Sequence, residues 1–254
     1  MPIFSLLGGA LALLLCCASQ ANTLRFVTKY NPPLVWVAGG HEVGPFVDIL
    51  RATCAAIQAT CTIDEVPWRR GLKLAEAGRY DGAFALVRSS ERERAFYLSE
   101  PILASAYAFY GIRGSQFTYL VPQDLSGRTI VAYGPSGTAS AVESALQGVA
   151  NVDLQLEADN ITVLKKLAAG RYGPNALAVV NRDTAWSLMR AQKITGVTQL
   201  GDFEPIFYTI GLSRKAVSAV TAERFFAALS ALKKSGRIAA VLKKWRAQCP
   251  ACGG

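Results

Sequence analysis

Histidine is nearly missing from this chain. His41 is the one imidazole in 254 residues, so a zinc site with two His ligands, or a catalytic scheme that needs several imidazoles, lacks its side chains. Lysine and arginine are absent before Arg25. Beyond the first twenty or so residues no apolar run has the length to cross a bilayer as a helix. Also missing is the stripe of basic residues interleaved with aromatics that single-strand nucleic-acid binders use. The 27 Lys and Arg stand singly along the chain against 18 Asp and Glu, for a net charge of +9. That excess reads as a solvated basic surface and not as a nucleic-acid interface. What is present is 51% hydrophobic and 18% charged residues, with 22 Gly and 11 Pro. This composition excludes disorder, collagen and coiled coil. The length suits one large domain or two modest ones, each able to bury a core.

The uncharged, mostly apolar run from Ile3 to Cys17, followed by the small-x-small pattern Ser19-Gln20-Ala21, reads as an export signal over residues 1–21. The Leu13-Leu14-Leu15-Cys16 segment matches a lipoprotein box poorly, because Leu15 stands where a small residue is wanted. Four cysteines follow the signal: Cys54, Cys61, Cys249 and Cys252. In an oxidising compartment an even number reads as disulfides. Cys54 lies late in a helix-like segment and Cys61 opens a strand-like one, so a short turn joins them. Cys249-Pro-Ala-Cys252 follows the last helix, whereas a redox CxxC opens one. It reads as a tail staple, with a free dithiol as the alternative.

From Leu24 onward strand-like and helix-like segments alternate, which predicts α/β architecture. The first unit is a strand Leu24 to Thr28, a helix carrying Val47, Leu50, Cys54 and Ile57, a strand Cys61 to Val66, a helix Trp68 to Ala77 and a strand Gly82 to Val87. A second unit repeats the plan: strand Thr129 to Tyr133, helix Thr138 to Leu146, strand Val152 to Leu156, helix Asn160 to Ala169, strand Ala176 to Val180 and helix Asp183 to Ala191. Two extended apolar runs, Tyr107 to Ile112 and Ile206 to Leu212, are expected to cross between the units as a hinge pair. Two closing helices, broken at Ser235-Gly236, carry apolar stripes and should pack back on the first unit.

Tyr30-Asn31-Pro32-Pro33, Val43-Gly44-Pro45-Phe46-Val47-Asp48, Pro67-Trp68-Arg69-Arg70-Gly71, Gly78-Arg79-Tyr80-Asp81-Gly82 and Ser90-Glu91-Arg92-Glu93-Arg94 leading to Leu98-Ser99-Glu100-Pro101 stand in the order and spacing of a known family. The chain resembles the periplasmic solute-binding proteins of the polar amino-acid uptake class, with a type II periplasmic binding fold. The resemblance implies two doubly wound α/β lobes joined by two extended hinge crossings. Residues 22–110 and 210–254 would form lobe one, and 111–209 lobe two. It also places a disulfide at Cys54 and Cys61.

The resemblance carries site roles as well. Arg92 would hold the ligand carboxylate, since a planar guanidinium grips it through two parallel hydrogen bonds. Tyr30 and Trp68 would sandwich the ligand. Ser136, Gly137 and Thr138 open a helix directly after a strand, where free N–H groups meet an anion. No Lys follows that glycine, so it is not a nucleotide loop. At the family's acidic residue for the ligand ammonium this chain reads Asn181-Arg182-Asp183, with helix phase favouring Asn181. Either Asp183 takes that role or the ligand lacks an α-ammonium. Val87 stands near a place where many members carry a ligand-binding hydroxyl. The implied function is a monomeric, metal- and cofactor-free periplasmic protein that captures a small carboxylate-bearing solute and delivers it to an ABC permease in the inner membrane. The alternatives are a ligand-sensing subunit for a membrane receptor and a cyclohexadienyl-dehydratase-like enzyme, for which Glu42, Glu65 and Glu91 are the available acids.

Overall fold

A computed structural model describes residues 22–248. The export-signal reading and the Cys249/Cys252 staple lie outside these residues. The chain opens with β1 (Asn22–Thr28), which buries Leu24, Phe26 and Val27. A short hairpin follows, β2 (Trp36–Ala38) and β3 (His41–Val43). Gly44 then caps α1 (Pro45–Ala56) with φ +129°. A Cβ there would strike the Leu34 carbonyl, so only glycine fits. Pro45 in the first turn suits a helix start, and α1 buries Phe46, Val47, Ile49 and Leu50 on one face.

Next come β4 (Ala59–Glu65), α2 (Trp68–Glu76) and β5 (Gly82–Val87). Strand β1 pairs in parallel with both β4 and β5. Cys54 of α1 is joined to Cys61 of β4, with Cα atoms 6.1 Å apart. A short helix α3 (Ser90–Ala95) follows, then β6 (Phe96–Leu98) and the long strand β7 (Leu103–Ile112). After one 3-10 turn at Pro122–Leu125 the alternation resumes with β8 (Thr129–Tyr133), α4 (Gly137–Ala145), β9 (Asp153–Glu157), α5 (Asn160–Ala168), β10 (Leu177–Asn181) and α6 (Arg182–Ala191). Strand β11 (Val197–Ser213) leads back to α7 (Ala219–Lys234) and α8 (Arg237–Gln248).

Apart from the β2/β3 hairpin, the strands form one continuous sheet in the order β4-β1-β5-β11-β7-β10-β8-β9, with β6 added on β11. Each end is parallel and carries its own helices, which is the doubly wound plan. The centre is the antiparallel pair of crossings, β7 with β11. Helices α7 and α8 return to the first end as expected. Phe225 meets Phe26 at 5.9 Å, and Trp245 meets Trp36 at 5.0 Å while its indole N–H donates to Asp48 at 2.9 Å.

Three features differ from the sequence expectation. The second crossing begins at Val197 and not at Ile206, because its first half alternates with Thr198, Gln199, Asp202 and Glu204 and so carries no apolar run. The first crossing likewise begins at Leu103. Arg92 lies in a helical turn, α3, whose N-cap Ser89 accepts the Arg92 N–H at 3.3 Å. The hairpin β2/β3 and strand β6 have three residues each, too few for a period to show. Among the described residues no helix is long and apolar enough to cross a membrane.

Candidate functional site

A cleft opens where the carboxyl ends of β1, β5, β8 and β10 face one another, the place at which open α/β sheets gather ligand-binding residues. From the first end of the sheet come Lys29 and Asn31 after β1, Trp68 at the start of α2, Ala85 and Val87 on β5, and Arg92 on α3. From the other end come Tyr133, Ser136, Gly137, Thr138, Asn160, Asn181 and Thr184. Tyr107 of β7 and Tyr208 of β11 form the floor between them.

Arg92 is 9% exposed. Its guanidinium donates to the Val87 carbonyl and lies 5.8 Å from the centre of the Trp68 ring. Burial lowers its pKa, as desolvation does to any cation. None of the ion pairs among the described residues uses Arg92. Across the cleft the Cα of Gly137 faces it so closely that a Cβ there would sit 2.8 Å from the Tyr107 hydroxyl and within 4.0 Å of the guanidinium nitrogens. Its neighbours Arg88 and Arg94 are turned outward: Arg88 pairs with Glu93 at 3.5 Å, and Arg94 is exposed.

Ser136 is the N-cap of α4. Its hydroxyl accepts from Ala139 N at 3.2 Å and donates to the Tyr133 carbonyl at 2.6 Å, so this side chain is already committed. The N–H groups of Gly137 and Thr138 have no acceptor within a helix that begins there. Thr138 is buried in the cleft wall. Ala85 adds local strain: it holds φ +54° inside β5, where the ladder to β11 shifts register between Thr209 and Ile210. Such a bulge re-aims the residues that follow it, and the carbonyl that meets Arg92 is two residues on.

The other expected residues divide. Trp68 is 7% exposed and lines the inner cavity. Tyr30 is 50% exposed and belongs to the outer mouth, beside Glu65 and Asp159. Asn181 lines the cavity, but its amide is engaged: Oδ1 accepts from Thr184 N at 2.9 Å, and Nδ2 donates to Ser105 Oγ at 3.0 Å and to the Ala106 carbonyl. Asp183 does not line the cavity; its carboxylate accepts the Ser105 hydroxyl at 2.5 Å. Of the three acids available for an enzyme, Glu65 stands at the mouth with its pKa raised by burial and by Glu42, and Glu91 lines an adjoining cavity that Arg92 and Trp68 also border.

Sequence reasoning missed Lys29. Its ammonium lies 5.6 Å from the Trp68 ring and 5.2 Å from the Tyr133 ring, one from each side of the cleft. Burial, and then the charge of Arg92, bring its pKa down to about 8. It also missed Asn160, whose Oδ1 is buried without a hydrogen-bond partner, and the pair Asn31 and Thr184, joined across the cleft at 3.3 Å. Tyr107 and Tyr208 were read only as parts of the crossings; burial raises the pKa of both hydroxyls, so both stay neutral donors. The one available signal was position, since Lys29 and Asn160 immediately follow a strand or open a helix at the carboxyl edge.

A sequence profile of the bacterial extracellular solute-binding proteins, family 3, matches residues 24–248. The chain is 22% identical over 248 residues to an arginine-binding periplasmic protein of Mannheimia haemolytica, covering 92% of this chain and 96% of that protein. Among solved structures it is similar to an ancestral arginine-binding protein bound to arginine, with a TM-score of 0.76 and 20% identity over 88% of this chain and 98% of the other. It is also similar to a histidine kinase sensor domain that resembles periplasmic binding proteins, with a TM-score of 0.77 and 22% identity over 88% and 95% of the two chains.

Proposed function

This chain belongs to the bacterial extracellular solute-binding proteins, family 3, and on that premise we propose that it captures a small carboxylate-bearing solute in the periplasm and delivers it to an ABC permease of the inner membrane. The apolar run Ile3 to Cys17 supports export, and the relative from Mannheimia haemolytica is itself a periplasmic arginine-binding protein. In this reading residues 22–110 with 210–254, and residues 111–209, are two lobes that rotate about β7 and β11 to close on the solute, as hinge-bending binders do. No bond is made or broken; the work is recognition and release.

One observation carries the proposal. A guanidinium buried to 9% exposure, without a carboxylate partner among the described residues, stands over an indole and opposite the start of α4. A buried charge left uncompensated is costly, and a ligand carboxylate supplies the missing partner. It would take two hydrogen bonds from Arg92 and further ones from the Gly137 and Thr138 N–H groups, with Trp68 against its flat or apolar part. Native mass spectrometry of the protein recovered from the periplasm tests this. A bound acid of a few hundred daltons at most, lost in Arg92→Ala and kept in Arg94→Ala, is the expected result. Retention of the same mass by Arg92→Ala would remove the anchor.

A further inference from the structure

We infer that the cleft is built for a solute with two anionic groups and no cationic one, a small dicarboxylate or a molecule of equivalent charge, unlike the cationic amino acid in the names of the relatives above. The inference rests on the carboxylate-capture reading and specifies its substrate class. The inner cavity is lined by two cations, Lys29 and Arg92, and by neither an aspartate nor a glutamate. Both cations lie against the Trp68 indole, close enough that the charge of Arg92 acts on Lys29. No ion pair among the described residues uses either one.

The acids that would hold an ammonium stand outside this inner cavity: Glu76, Glu91 and Glu204 line an adjoining cavity that reaches the other side of Arg92 and Trp68. Asp183 is turned to Ser105, and Asn181 is spent capping α6. Glu65 and Asp159 stand at the outer mouth. An α-ammonium brought into the inner cavity would meet two like charges and no carboxylate in its lining, which opposes binding. A single carboxylate on Arg92 would leave Lys29 uncompensated between its two rings; a second anionic group pairs with it. The remaining polar requirement is neutral: the buried Asn160 Oδ1 takes a donor, which a hydroxyl or an ordered water supplies.

The test is calorimetric titration of the full chain with three probes: L-malate, a dianion with a hydroxyl; L-lactate, its monoanionic counterpart; and L-arginine. Malate is expected to bind at least tenfold tighter than lactate, and arginine more weakly than either. Lys29→Met should abolish the advantage of malate over lactate, and Lys29→Gln should do the same if the Met variant folds poorly. Arginine binding tighter than malate, malate no tighter than lactate, or silence from all three probes overturns the inference. Carboxylate capture still stands in the first two cases, provided Arg92→Ala removes the binding that is seen. Malate binding that survives Arg92→Ala unchanged removes that reading instead.

Discussion

Replacing Arg92 by alanine separates recognition from folding more cleanly than any other change in this cleft. In the complex the substitution strands the ligand carboxylate in a desolvated site, a loss that typically costs ~2–5 kcal/mol. That corresponds to a fall in affinity of about thirty-fold to several thousand-fold. In the free protein the terms oppose one another. The hydrogen bond to the Val87 carbonyl contributes about 1 kcal/mol, and the contact with the Trp68 ring contributes roughly 0.5–2 kcal/mol. Against these stands the desolvation of a buried, unpaired cation, about several kcal/mol, which disappears with the guanidinium. The melting temperature without ligand should therefore hold or rise. Arg92→Lys should recover only part of the affinity, because an ammonium restores the charge but not the two parallel hydrogen bonds. The assay pairs calorimetric titration of the co-purified acid with thermal melts of the ligand-free protein, using the exposed Arg94→Ala as control. A variant with lowered melting temperature and unchanged affinity would show Arg92 to be a structural residue and refute the argument.

Three more perturbations have expected outcomes. Gly137→Ala puts a methyl group 2.8 Å from the Tyr107 hydroxyl, so the cleft wall must shift to admit it; affinity should fall about tenfold, and unchanged affinity in the same titration would contradict it. Lys29 releases its proton near pH 8 in the free protein, so the affinity for an anionic ligand should decline as pH rises above 8, with proton uptake on binding visible in buffers of different ionisation enthalpy. Arg92 keeps its charge in this range and burial holds Tyr133 neutral; a profile that stays steep in Lys29→Met would reassign the effect. For the stability of the free protein the sign is opposite, because the unfolded chain holds that proton to about 10.4 and the Lys29 contribution therefore rises with pH from 8 toward 10. Reducing Cys54–Cys61 should destabilise by about 2.5 kcal/mol on the chain-entropy estimate for a loop of this size, lowering the melting temperature by roughly 5–10 °C; a melt unchanged by reductant would contradict this.

The frame was legible because each unit writes its periodicity locally. The five buried residues from Gly82 to Leu86 read as a core strand, and α1 shows its apolar face at helical spacing. Arg92 was legible from motif spacing, although its backbone is helical, since Ser89 capping decides that locally and the motif does not depend on it. Lys29 was not legible. A lysine just past a strand reads as solvated, and only Trp68 and Tyr133, brought in from α2 and β8, bury its ammonium. Asn160 was obscured by its neighbour: Asp159 takes the capping role by accepting Thr162 N at 2.7 Å, which leaves the Asn160 amide free for the cleft. The fate of Asp183 depended on Ser105, on a crossing strand far away in sequence. For Lys29 and Asp183 the deciding contact is non-local, so no window of sequence contains it.

The return of α7 and α8 to the first strand also governs the order of events in folding. Phe26 is fully buried, and Phe225 closes over it; Arg224 donates to the Ile57 carbonyl at 2.7 Å and Trp245 to Asp48. The end at which the chain begins cannot be sealed until its last two helices have been synthesised. A ribosome-bound fragment ending before Ala219 exposes the apolar faces of β1 and α1, whereas the segment from β8 to α6 is continuous in sequence and can bury its own interior first. Contacts of such long separation form slowly, and until they do the nascent chain presents the unfinished hydrophobic surface that chaperones recognise.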